Sequence, residues 1–224
     1  MPTQNAGLNS LLNQIDIDYK DTAASTGLTK MSPAVHRALQ SVPRELFVDE
    51  THRRDAYGNF PLPIGSGQTI SQPFIVALMT DLLQLNSDSR VLEIGTGCGY
   101  QSAILAEIAK EVYTVEIVAE LGEAANQRLA ELGYQNIHYR TGDGAVGWPE
   151  AAPFDGIIAT ACGTSIPSAW IEQMAGPPLR RSGRIVMPLE RKSGNQELVV
   201  ISKNADGSLD EQSVLAVRFV PITH

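Results

Sequence analysis

A doubly wound, Rossmann-like α/β fold is what this sequence predicts, and three stretches predict it. Val91-Leu92-Glu93-Ile94 is an apolar strand that runs into Gly95-Thr96-Gly97-Cys98-Gly99, after which Tyr100, Ala103, Ile104 and Ala106 open a helix toward Ala109. Glu111-Val112-Tyr113-Thr114-Val115-Glu116 follows as an alternating strand ending in a carboxylate, the strand–helix–strand order of a parallel unit. Phe154 to Thr160 is apolar almost throughout, as a central parallel strand covered on both faces must be.

The glycine turn points to a ligand. Successive glycines permit positive φ and carry no Cβ, so a small molecule can lie against main-chain N–H groups at the helix start. Glu116 lies roughly 20 residues beyond the first glycine, where an acid accepts hydrogen bonds from ribose hydroxyls. The G-x-G-x-G spacing is neither the G-x-G-x-x-G of a dinucleotide site nor a loop closing on Lys-Ser/Thr, and it holds no basic residue for phosphate. Glu93, just ahead of the loop, would repel phosphate and suit a positively charged ligand. S-adenosylmethionine has a sulfonium, an ammonium and no phosphate, and is the expected cofactor; a purely structural turn is the bland alternative.

Composition bounds the rest. The 224 residues are 43% hydrophobic, enough for one α/β domain with a substantial core. A formal charge of −8 and a pI near 5.0 leave no general basic surface for a nucleic-acid backbone. The two cysteines fall in the glycine loop and in Thr160-Ala161-Cys162-Gly163, and the four histidines are scattered, so neither a disulfide framework nor a metal site is expected. No signal segment or bilayer-length apolar run is evident, and a cytoplasmic monomer acting away from membranes is expected.

In chain order, residues 1–31 read as a loosely ordered arm with a short helix around Leu8 to Leu12, and residues 32–224 as a single domain. Ser32-Pro33 supplies an N-cap and first helical position for a stripe of Val35, Leu39 and Val42, stopped by Pro43. Residues 60–73 are too rich in Pro and Gly for a helix and too apolar for a solvated linker, so they should form a loop covering a site. Ser71 reads as the N-cap of the helix that follows, with Pro73 in its first turn. Ile117 to Leu132 and Ile166 to Met174 are expected helices, and Asn136 to Arg140 and Arg184 to Pro188 strands. Glu197 to Lys203 and Ser213 to Val220 should finish the sheet antiparallel around the turn signal Asp206-Gly207.

Pro43-Arg44-Glu45-Leu46-Phe47-Val48, Pro61 through Pro73, the Gly95 loop, Gly142-Asp143-Gly144 and Val217-Arg218-Phe219-Val220-Pro221 together resemble the protein-L-isoaspartate O-methyltransferase family, in its order, over about residues 34 to 223. The resemblance implies an S-adenosylmethionine-dependent methyltransferase sheet and transfer of a methyl group to the free α-carboxylate of isoaspartyl residues in damaged proteins and peptides, leading to repair through a succinimide. It makes Ser71 the active-site serine. It implies a cofactor site of Gln68, Thr69, Ile70, Ser71, Glu93, Ile94, Gly95, Thr96, Gly97, Gly99, Glu116, Ile117, Asp143, Gly144 and Thr223, with Asp143 at the adenine edge. The arm, the expanded Gly176 to Gly183 turn, Cys98 and Cys162-Gly163 depart from the family pattern. A methyltransferase of another substrate, and a cofactor-binding adaptor without catalysis, are the alternative readings.

Overall fold

The computed structural model describes residues 2–176, 183–204 and 206–222, so the middle of the expanded turn, residues 177–182, lies outside the described residues. Helices α1 (Pro2–Thr26) and α2 (Pro33–Ser41) come first; two 3-10 turns lead to β1 (Leu62–Gly65), β2 (Gln68–Ile70) and α3 (Pro73–Leu82). The main sheet then begins with β3 (Arg90–Ile94), α4 (Tyr100–Ala106), β4 (Glu111–Glu116), α5 (Ala119–Glu131) and β5 (Ile137–Thr141). It continues with β6 (Gly156–Ala159), α6 (Ser168–Gln173), β7 (Arg184–Glu190), β8 (Gln196–Lys203) and β9 (Leu209–Val217).

The seven strands lie in the order β5-β4-β3-β6-β7-β8-β9, parallel through β7 and antiparallel for β8 and β9. The chain builds outward from β3 to β5, then returns to β6 on the other side of β3. That reversal opens a crevice at the carboxyl ends of β3 and β6, where open α/β sheets bind ligands. The antiparallel finish expected from the Asp206-Gly207 signal is present, with Ser208 N–H donating to Asp206 Oδ1 at 2.9 Å.

Alternation along the central strands buries both faces. Val91, Ile158 and Val186 enter one core with the apolar sides of α1 to α4, whereas Leu92, Ile157, Ile185 and Met187 enter the other with Trp170 of α6. The parity also decides where the odd polar residue goes. Glu93 shares the face of Val91, and this determines its surroundings below.

Two expectations are corrected. The first residues are not a loose arm: Pro2–Thr26 is a 25-residue helix. Its apolar residues are few but spaced for one face, since Leu11, Ile15 and Tyr19 recur every four positions and all are buried with Leu12. Gly27, at φ +71° with its N–H bonded to Ala23 O at 2.9 Å, stops it as a helix C-terminal glycine does. Polar bonds replace the missing apolar area: Asp18 Oδ2 accepts from Asn59 Nδ2 at 2.6 Å, and Tyr19 Oη donates to Asp81 Oδ2 at 2.6 Å. The second correction concerns residues 60–73, which contain a tight hairpin of β1 and β2 rather than an irregular loop. Its Gly65-Ser66-Gly67 turn has φ of +93°, +48° and +70°, which places Ser66 in the region that glycine usually occupies.

Asp81 Oδ2 also accepts from Ser32 N–H at 3.0 Å, so a single carboxylate joins α1, the start of α2 and the end of α3. Burial and the Asp81 charge push the Tyr19 phenol's pKa up, keeping it a donor at every pH of interest. Tyr19→Phe removes a hydrogen bond to a charged group and is expected to cost about 1.5–3 kcal/mol. The urea midpoint measures it, and an unchanged midpoint would show that packing alone holds α1.

Candidate active site

The site is built at the ends of β3, β4 and β6. Gly95 leaves β3 at φ +95°, its N–H bonded to Val115 O at 2.8 Å. Thr160, at the end of β6, donates its hydroxyl to Gly95 O at 2.6 Å. A Cβ on Gly95 would lie 2.4 Å from that hydroxyl oxygen, so both the dihedral and the close approach require glycine. From β4, Glu116 takes hold of the loop: Oε2 accepts from Gly97 N–H at 2.8 Å and Oε1 from Val118 N–H at 3.0 Å. Each carboxylate oxygen retains capacity for a further donor. Glu116 is buried, yet it lines the cavity.

That cavity opens to solvent and encloses about 860 Å³ of empty space when its open mouth is counted. Of the residues expected there, Gln68, Thr69, Ile70, Ser71, Ile94, Gly95, Thr96, Gly97, Glu116, Ile117 and Gly144 line it. Thr223 lies outside the described residues. Three others are not among its lining residues. Gly99 turns its vacant Cβ position toward α5, 3.2 Å from Leu129 Cδ1, and so shapes the turn. Asp143 Oδ1 accepts from Ala145 N–H at 2.9 Å, beside the lining Gly144.

Glu93 is the third, and the clearest departure from expectation. It is fully buried beneath the loop, because strand parity aims it at α4, where Ser102 Oγ donates to its Oε2. Oε1 has no hydrogen-bond partner among the described residues. Burial pushes its pKa up to about 8, against the hydroxyls of Ser102 and Thr114 and with a smaller contribution from the nearby Glu116 charge.

Sequence reasoning missed Thr160 and Ala161 and the tail segment Val220 to Ile222, all of which line the cavity. Thr160 had a signal, being the last residue of a buried parallel strand beside the crevice. The tail's signal lay in the family resemblance alone, which put Thr223 at the site, and no local pattern gives it, since a long-range pairing brings it in: Cys162 N–H bonds Val220 O at 2.7 Å and Ile222 N–H bonds Cys162 O at 2.8 Å.

A second, wider groove adjoins the first and shares Thr69, Ser71, Thr160 and Val220 with it. Its remaining wall comes mainly from α1, α3 and β9 with the segment after it, joined by Pro61, Gln72 and Gln196. Ser71 therefore stands at the junction. It is not the helix cap that its position suggested: Gln72 is the N-cap of α3, without a side-chain capping bond, and Phe74 N–H bonds Asn59 Oδ1 at 3.0 Å instead. The Ser71 hydroxyl has no hydrogen-bond partner among the described residues.

A parallel sheet with this crevice, a glycine loop clasped by a strand-end carboxylate, and no cationic side chain among the lining residues described define a Rossmann-like methyltransferase fold. The comparisons narrow this further. The family model of protein-L-isoaspartate(D-aspartate) O-methyltransferase matches residues 22–224, and the chain belongs to that family. It is 46% identical over 213 residues to protein-L-isoaspartate O-methyltransferase 2 of Syntrophobacter fumaroxidans, covering 95% of this chain and 84% of the relative. It is 51% identical over 190 residues to the protein-L-isoaspartate O-methyltransferase of a Picosynechococcus species, covering 85% and 82%. Among solved structures, a protein-L-isoaspartate O-methyltransferase superposes with a TM-score of 0.81 at 27% identity over 95% of this chain and 66% of that longer one. A Plasmodium falciparum protein in complex with S-adenosyl-L-homocysteine shares the fold, with a TM-score of 0.76 at 21% identity over 98% of both chains.

Glu93 makes stability depend on pH. Its folded pKa lies above its ordinary value of 4.5, so its contribution is greatest below that value, is lost as pH rises from there through about 8, and levels off above. Glu93→Gln should remove this slope: between pH 5 and pH 9 the stability of the native protein should fall, relative to the variant, by on the order of a few kcal/mol. Denaturant titrations at both pH values measure the difference, and parallel profiles would contradict it.

Proposed function

We propose that this chain transfers the methyl group of S-adenosyl-L-methionine to the free α-carboxylate of L-isoaspartyl residues in damaged proteins and peptides, the step that initiates repair through a succinimide. The observation that carries the residue-level reading is Ser71, which lines both cavities while its hydroxyl stays uncommitted.

The first cavity suits the cofactor on its own chemistry. Gly95 and Gly97 present bare main chain to the cavity, and Glu116 is the one charged side chain among the described lining residues, a carboxylate suited to ribose hydroxyls and compatible with a cationic ligand. When bound, S-adenosylmethionine supplies a methyl group on a positively charged sulfur. In this reading Glu116 holds the ribose, the loop from Ile94 to Gly97 and Ile117 enclose the nucleoside and amino-acid parts, and Asp143 beside Gly144 meets the adenine edge. Glu93 acts from beneath by holding Ser102 and the loop's first helical turn.

The substrate carboxylate is ionised at neutral pH and needs no strong general base. What the chain must do is position it and exclude water. Gln68 to Ser71 form the partition between the cavities, and the Ser71 hydroxyl donates to one carboxylate oxygen, fixing the other toward the methyl donor. Thr69 and Ile70 displace water from the path; this favours a step in which an anion and a cation neutralise one another, because charge separation is poorly supported where solvent is scarce.

No helix among the described residues is long and apolar enough to cross a membrane. The same reading makes the chain a cytoplasmic monomer whose partners are isoaspartyl-containing proteins rather than nucleic acid, in keeping with its formal charge of −8.

Ser71→Ala should lower kcat on an isoaspartyl peptide by about 10- to 100-fold, the worth of one hydrogen bond to a charged group, with cofactor affinity by calorimetry nearly unchanged. An equal loss of cofactor affinity, or unaltered turnover, would remove Ser71 from the proposed role.

A further inference from the structure

The family match begins at residue 22, yet part of the outer groove is built by residues ahead of it. Asp18 and Asp21 of α1 line the groove that continues from Ser71, and so does Arg218, just past β9. The two aspartates differ in what they are free to do. Asp18 is committed, its oxygens accepting from Gln14 Nε2 at 3.1 Å and Asn59 Nδ2 at 2.6 Å, and through Asn59 it fastens α1 to the start of α3. Asp21 is exposed and enters no ion pair among the described residues; Arg218 is likewise exposed and unpaired among them. The neighbouring Asp16 and Lys20 are not among the groove's lining residues. Two opposite charges therefore face one groove without neutralising each other.

A peptide whose isoaspartyl carboxylate reaches Ser71 can lay its neighbouring residues along this groove, whose lining includes Ser71, Asp21 and Arg218 together. We infer that Asp21 and Arg218 are specificity-determining residues that select among isoaspartyl sites by the charge of the flanking residues. Asp21 favours Lys or Arg at one flanking position, and Arg218 favours Asp or Glu at another. The inference rests on the reading of Ser71 as the residue that meets the substrate carboxylate. Both side chains are solvent-exposed, so each preference should be modest, about two- to fivefold, and should shrink as salt screens it.

The test is methyl transfer to a set of isoaspartyl peptides carrying Lys, Gln or Glu at each flanking position in turn, at low and high ionic strength. The native protein, Asp21→Lys and Arg218→Glu are compared through ratios of kcat/KM between peptides, which cancel any general loss of folded enzyme. The expected result is a position where Lys exceeds Glu in the native protein and falls to or below it in Asp21→Lys. A different position should prefer Glu and lose that preference in Arg218→Glu, and both preferences should weaken at high salt. Identical ratios in all three proteins would overturn this inference alone. No transfer to any peptide by the native protein would overturn the reading of the site, and this inference with it.

Discussion

The site depends on one constraint at the ends of three parallel strands. At Gly95 the chain must leave β3 at φ +95° while the Thr160 hydroxyl occupies the space a side chain would need, and at Gly97 the loop must present its N–H to the Glu116 carboxylate. β3, β4 and β6 are neighbours in the sheet, with Ile94 opposite both Val115 and Ala159. Strand register thus converts directly into the geometry of the glycine loop. Rigidity comes from strands buried on both faces, whose small displacements would cost packing on either side.

A second constraint ties the glycine loop to the β1–β2 hairpin. Arg44 is buried, its guanidinium 5.1 Å over the ring of Tyr100 at the start of α4, and Nη2 reaches Phe60 O at 3.4 Å, just before the β1–β2 hairpin. Burial lowers its pKa, opposed by the contact with Tyr100, and Nε and Nη1 have no partner among the described residues. A cation kept in such surroundings costs stability, since buried charges are normally paired. From the other side, Arg128 Nη1 donates to Cys98 O at 2.8 Å. The glycine loop is therefore held by charge from α5 and by the Thr160 hydroxyl, with Arg44 linking its helix to the hairpin over the site.

What was legible in the sequence follows from the range of the forces involved. Strands, crossovers and the glycine loop are local patterns, and each appears close to its expected place. The α1 helix was hidden because its buried stripe is narrow and its anchors, Asn59 and Asp81, are distant in sequence. Glu93 was correctly seen as unusual, but only strand parity assigns it to the core beneath the loop. Ser71 looked like a cap because Pro73 follows it; the helix begins one residue later than that reading requires, leaving the hydroxyl free of the backbone. The tail residues Val220 to Ile222 reach the cavity through pairing with Cys162, a contact that no local pattern encodes.

The central claim is that this geometry orients an already ionised α-carboxylate against a bound methyl donor. The most direct measurement is transfer of labelled methyl from S-adenosylmethionine to two peptides that differ only in carrying isoaspartate or aspartate at one site. The account predicts base-labile label on the isoaspartyl peptide and none on its partner. Equal labelling of both, or label stable to base, would contradict it, because either result would mean that the acceptor is not the carboxylate this site is built to orient.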